Sequence, residues 1–169
     1  MKKTFIILLA VLITIQVAAQ KKNLAAPSAT LGGEWFVPRG AGVNGSIIFP
    51  FADGFSAVAN ASYDFLLNTV SSYKNISSFS LGARAGGEQD LYAQLGLGYS
   101  HLTYRYDYYY AAQSSGVSFQ VSGGYVLANN IDLGAELDLL TNKNYGRASA
   151  WFKIKVAYVF RLKKKDIKK

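Results

Sequence analysis

The chain has 169 residues, half of them hydrophobic and only 17% charged, with 14% aromatics, few prolines and a formal charge of +8. One domain fits this length, and neither a disordered chain nor a coiled coil fits this composition. With no cysteine and one histidine, the chain can hold no disulfide, thiolate or multi-histidine metal centre, and no cysteine nucleophile.

In chain order, Lys2-Lys3 is followed by an apolar run from Phe5 to Ile15 broken only by Thr14, and then by the small residues of Val17-Ala18-Ala19. This pattern predicts a secretory signal peptide over 1–19, cleaved after Ala19. The run is too short for a spanning helix, which needs about 20 apolar residues. Residues 20–29 read as an N-terminal periplasmic lead. No later apolar stretch is long enough to cross as a helix, so a mature chain that spans a membrane must do so as a closed barrel.

Eight segments with period-2 alternation follow, bounded by turn residues. They are Thr30–Val37, Val43–Phe51, Phe55–Leu67, Ser77–Gly86, Leu91–Tyr106, Val117–Leu127, Ile131–Leu140 and Ala148–Phe160. In the second, Ile47, Phe49 and Phe51 fall in one register. Asp53-Gly54 and Asn129-Asn130 are turn signals. Connections near Asp53, Glu88 and Asn129 are short; those near Arg39, Lys74, Tyr109 and Lys143 are expected to be mostly longer. The prediction is an all-β, eight-stranded antiparallel up-and-down transmembrane barrel over 30–160, with both termini at the short-turn side.

A soluble, lipocalin-like ligand-binding barrel is the rival, because it also has eight alternating strands but turns its apolar face inward. The polar face argues against it. That face is mostly Ser, Gly, Asn and Gln with scattered charges, which suits an enclosed polar interior. The other face is aliphatic, with Trp35, Tyr63, Phe65, Tyr99, Tyr125, Tyr158 and Phe160 near strand ends, as in a lipid-facing band.

On these residues, and on the glycine-rich Leu95-Gly96-Leu97-Gly98-Tyr99, the chain resembles the small outer-membrane barrels, the OmpX-like and OmpA-transmembrane-like proteins of Gram-negative bacteria. The resemblance spans about Leu31 to Phe160. It implies residence in the bacterial outer membrane and delivery by the barrel-insertion machinery. Such proteins often finish on the terminal aromatic; here Phe160 is followed by a basic tail over 161–169.

Charge is unevenly placed. The tail holds six bases and one acid, which accounts for most of the positive charge remaining without Lys2 and Lys3. Alternation turns Glu34, Asp64, Asp132, Glu136 and Asp138 inward with Arg84, Lys153 and Lys155, a lumen network in which Arg84 is expected to pair with Glu34 or Glu136. The basic loop residues suit lipopolysaccharide phosphates, or are simply a solvated surface. Tyr104, Arg105, Tyr106, Tyr108, Tyr109 and Tyr110 form a candidate surface contact for a protein or glycan, or an extended aromatic girdle.

Catalytic signals are thin. Ser100 and His101 are neighbours on a strand and point to opposite faces. Leu95-Gly96-Leu97-Gly98 lies inside a strand and is no nucleotide fingerprint. The expectation is a non-enzymatic outer-membrane protein with a structural or surface-interaction role and a polar, plugged lumen, needing no cofactor or metal and binding no nucleic acid. A small-solute channel and a lipid-modifying enzyme are the alternatives.

Overall fold

In the computed structural model the described residues are 26–37, 40–65, 73–86, 91–106, 110–141 and 148–162. The expected signal segment and nearly all of the basic tail lie outside them. The strands are β1 (Ser28–Val37), β2 (Gly40–Ala52), β3 (Phe55–Phe65), β4 (Tyr73–Gly86), β5 (Leu91–Tyr106), β6 (Tyr110–Val126), β7 (Ile131–Thr141) and β8 (Ala148–Arg161). Each pairs antiparallel with the next, and β8 closes on β1, with Gly32 opposite Ala157 and Trp35 opposite Ile154. Closure pairs the edges that an open sheet would leave bare.

The turns follow from local chemistry. Gly54 takes a positive φ of 70° in the β2–β3 hairpin and accepts a hydrogen bond from Gly86 N at 2.8 Å. Asn130 adopts the left-handed region that Asn tolerates, and its N–H returns to the Leu127 carbonyl. These turns, with Gly86, Leu91 and both barrel termini, define the turn end; the opposite strand ends, among them Val37, Phe65, Tyr106 and Thr141, define the loop end.

Three sequence expectations change. The connection carrying Arg39 is only the two residues 38–39, because β2 starts at Gly40 and pairs with Phe36. The segment around Tyr109 is not a long loop: β5 and β6 run on to Tyr106 and Tyr110. Tyr110–Gly116 has little alternation or β-propensity of its own, and its pairing with β5 makes it a strand. The register of β2 also shifts between Pro50 and Ala52, so the Ile47–Phe49 alternation stops before Phe51. Proline removes a ladder donor, and a bulge accommodates that.

The barrel is inside out relative to a soluble one. Leu31, Leu91 and Leu97 are more than 60% exposed on the outer wall, whereas Glu34, Asp64 and Lys153 are almost completely buried in the lumen. A soluble barrel buries the aliphatic set, so the lipocalin-like alternative falls here.

Candidate functional site: the polar lumen

Alternation sends every carboxylate of the eight strands inward. Nearer the loop end, Lys153 of β8 reaches four of them. Its Nζ lies 3.3 Å from Glu34, 3.2 Å from Asp64, 3.7 Å from Glu136 and 3.6 Å from Asp138. Lys155 pairs with Glu136 at 2.8 Å. Burying a single one of these charges alone would be prohibitive, and grouping them is what makes the interior tenable.

Nearer the turn end, Arg84 of β4 pairs with Asp132 of β7 at 3.1 Å. Its guanidinium lies 3.4 Å from the ring centroid of Tyr92, whose hydroxyl donates to the other Asp132 oxygen at 2.8 Å. The partner is therefore Asp132, not Glu34 or Glu136. The stagger of the strands places those two carboxylates further toward the loop end, with Lys153.

Neutral side chains extend the Lys153 group into a ring around the lumen. Ser46 donates to Asn60 at 2.7 Å, Asn60 to Ser80 at 3.1 Å, Ser80 to Gln120, and Gln120 to Asp138 at 3.5 Å. Lys153 continues it to Glu34, which accepts from Asn44 at 3.2 Å. Every strand but β5 contributes. A Cβ on Gly96 of β5 would sit 3.3 Å from Ser80 Oγ and 3.4 Å from Gln120 Oε1, so the glycine leaves room for the bridge that passes over β5.

Apolar side chains lie at both ends of this polar layer. Phe36, Ile76, Leu102 and Leu140 cluster toward the loop end with Trp151 packed against them, and Tyr92, Val126 and Val159 toward the turn end. Between Arg84, Tyr92, Asp132, Asn60, Gln94 and Lys155 there is a cavity of about 10 Å³, room for roughly one water. Sequence reasoning did not single out Tyr92, the Asn60–Ser80–Gln120 bridge or the apolar clusters. Parity was the available signal, since Ile76, Leu102 and Leu140 fall on the otherwise polar face.

Of the tyrosine-rich segment, Tyr104, Arg105, Tyr106 and Tyr110 lie on β5 and β6, where only their backbone is described; Tyr108 and Tyr109 fall outside the described residues. His101 pairs with a serine, but not with Ser100: its Nδ1 lies 2.7 Å from Ser115 Oγ across the β5–β6 ladder. Among the described residues no group of three or more His, Cys, Asp or Glu is arranged to hold a metal ion.

The same architecture occurs in solved structures. The N-terminal barrel domain of Pseudomonas aeruginosa OprF superposes with a TM-score of 0.55 at 17% identity, covering 82% of this chain and 100% of that one. The fold is that of the small eight-stranded outer-membrane barrels of the OmpA/OmpX-like class. Ail, the attachment invasion locus protein of Yersinia pestis, matches with a TM-score of 0.53 at 11% identity over 81% of this chain and 100% of Ail. Neisserial surface protein A matches with a TM-score of 0.55 at 10% identity over 82% of this chain and 96% of its own. No protein-family model matches the chain. No curated protein matches it either.

Proposed function

We propose that this chain is a non-enzymatic protein of the bacterial outer membrane, exported by a signal peptide over 1–19, with a structural or surface-interaction role and a lumen that does not conduct. The observation that carries the reading is the inverted barrel: an aliphatic wall outside, and inside it a ring of charges and amides flanked by two apolar clusters. Eight strands leave an interior just wide enough for side chains to fill. The outer wall suits lipid hydrocarbon. Lipopolysaccharide would meet its loop end, and the barrel-insertion machinery would assemble it.

The surface role belongs to the β5–β6 hairpin. β6 pairs with β7 only from Ser118 onward, so Tyr110–Val117 continues beyond that ladder, paired with β5. Tyr104, Arg105, Tyr106 and Tyr110 ride on this extension, with Tyr108 and Tyr109 in its connection. Tyrosine and arginine together suit a glycan or protein surface. Ail has a solved structure with the heparin analogue sucrose octasulfate, which supports a sulfated glycan as the first ligand to try.

The test is single-molecule conductance of the refolded chain in planar bilayers, alongside gel migration before and after boiling. A heat-modifiable band with no steady current is expected. A stable open channel in the unmodified protein would replace this reading with the small-solute channel.

A further inference from the structure

The outer wall changes chemistry abruptly on one side of the barrel. Across β3 to β6, one outward row is Ala61, Phe79, Tyr99 and Val117. The next row toward the loop end is Tyr63, Ser77, His101 and Ser115, and the one after it Phe65, Asn75, Thr103 and Gln113. On β4, β5 and β6 the apolar wall therefore gives way to hydroxyl, imidazole and amide groups within a single row. On β1 it stays apolar to the strand end, with Trp35 and Val37 both more than half exposed.

A polar side chain held in hydrocarbon is costly, so this step marks the level where acyl chains end and headgroups begin on that wall. The chain's one histidine stands at the step. Its Nδ1 is engaged by Ser115, which fixes the ring, and Ser77 is its cross-strand neighbour on the other side. Where the serine hydroxyl donates to Nδ1, the remaining proton is on Nε2, which becomes a donor. The patch is bordered on β3 by Tyr63, which accepts from Asn75 at 2.8 Å and stacks edge-on with Phe65 at 4.8 Å. Below it, Phe79 and Tyr99 are more than half exposed where an acyl chain would lie.

Electrostatics selects the headgroup. No described strand carries an outward carboxylate; all five strand acids are in the lumen. The wall offers an anion donor groups with no carboxylate among them: the histidine, the serine and threonine hydroxyls and the amide N–H groups, Asn75 sharing one of its own with Tyr63. We infer that the outward row Ser77, His101 and Ser115, with Asn75, Thr103 and Gln113 above it, is a binding site for the phosphate of a membrane lipid headgroup, its acyl chains lying over Phe79, Tyr99 and Val117. The site rests on the membrane placement proposed above and is continuous with the wall that faces lipid. Glycerophospholipid and lipid A phosphates share the required chemistry.

The single histidine makes the test direct. The untagged chain, refolded in dodecyl maltoside and labelled with nitrogen-15, is titrated with phosphatidylglycerol, with lipid A, and with phosphate-free diacylglycerol, following the imidazole resonances. The expected result is a saturable shift of the ring nitrogens with one or both phosphate lipids and none with diacylglycerol. Response to only one phosphate lipid identifies the source. In the same samples His101→Gln and Ser115→Ala weaken phosphate-lipid retention at least threefold, read by native mass spectrometry. An equal shift with diacylglycerol, or no shift with either phosphate lipid, overturns the site. Contacts between acyl chains and the Leu95 and Leu97 methyl groups are read in parallel. If these are absent, the membrane placement itself fails; if they are present while the imidazole is silent, only the headgroup site fails. The wild-type titration decides the matter even if a variant does not fold.

Discussion

Lys153 and Arg84 solve the same problem, a cation inside a narrow barrel, in opposite ways. Lys153 is a point charge surrounded by four carboxylates, with the Phe36 ring further off, its centroid 4.9 Å from the ammonium. Arg84 has one carboxylate and lies against the face of Tyr92, whose hydroxyl also holds that carboxylate. A compact ammonium can sit at the centre of a cluster; a planar guanidinium stacks and forks. The difference teaches where the barrel depends on charge. Around Lys153 the acids outnumber the bases, and Glu34, Asp64 and Asp138 pair with it while Glu136 also has Lys155. Around Arg84 the charges balance and a neutral side chain shares the load.

Removing Lys153 is accordingly expected to be the most damaging lumen change. Lys153→Met leaves Glu34, Asp64 and Asp138 buried without a cation, and should lower stability by about 3–5 kcal/mol, read from urea unfolding by gel shift in lipid vesicles. A loss no larger than that of Arg84→Gln would break the contrast between the two clusters.

The outer wall supplies the scale for comparison. Leu95→Arg should cost about 2–4 kcal/mol if Leu95 sits near the bilayer midplane. Gln94, next to it on β5, points into the lumen opposite Arg84. Gln94→Arg places a second guanidinium beside Arg84, but in a polar lumen that holds hydrogen-bond partners, and should cost less than a charge facing hydrocarbon in the same unfolding assay. The reverse order would mean that the two faces are assigned the wrong way round.

Arg84→Gln should cost about 2 kcal/mol, because Asp132 loses its charged partner but keeps the Tyr92 hydroxyl. Combined with Lys153→Met it should be additive, since the two cations share no carboxylate; a marked departure would show that the two groups are coupled across the lumen. The smallest effect is expected from Tyr92→Phe, about 1 kcal/mol, which removes one hydrogen bond to Asp132 and leaves the ring under Arg84. If Tyr92→Phe matches Arg84→Gln, the stacking contributes nothing measurable.

How much of this was legible beforehand differs residue by residue. The alternation of Leu95, Leu97 and Tyr99 against Gln94, Gly96 and Gly98 is local, so strand, face and barrel class could all be read from it. The start of β6 could not: Ala111-Ala112-Gln113-Ser114-Ser115 has no strand signal, and only its pairing with β5 defines it. The partner of Arg84 was equally out of reach, because Asp132 lies three strands away and meets it across the lumen. His101 and Ser115 are likewise brought together by register, whereas the sequence neighbours Ser100 and His101 are separated by the pleat.

The sequence by itself determined that each side chain faces in or out, because a strand's side-chain period is two and needs no knowledge of the partner strand. It thereby determined an aliphatic exterior, a polar interior and a closed barrel. Only the tertiary structure decided which charges meet. Strand stagger around a closed ladder sets the height of each residue in the lumen, and that stagger is a property of all eight pairings together, written in no single segment.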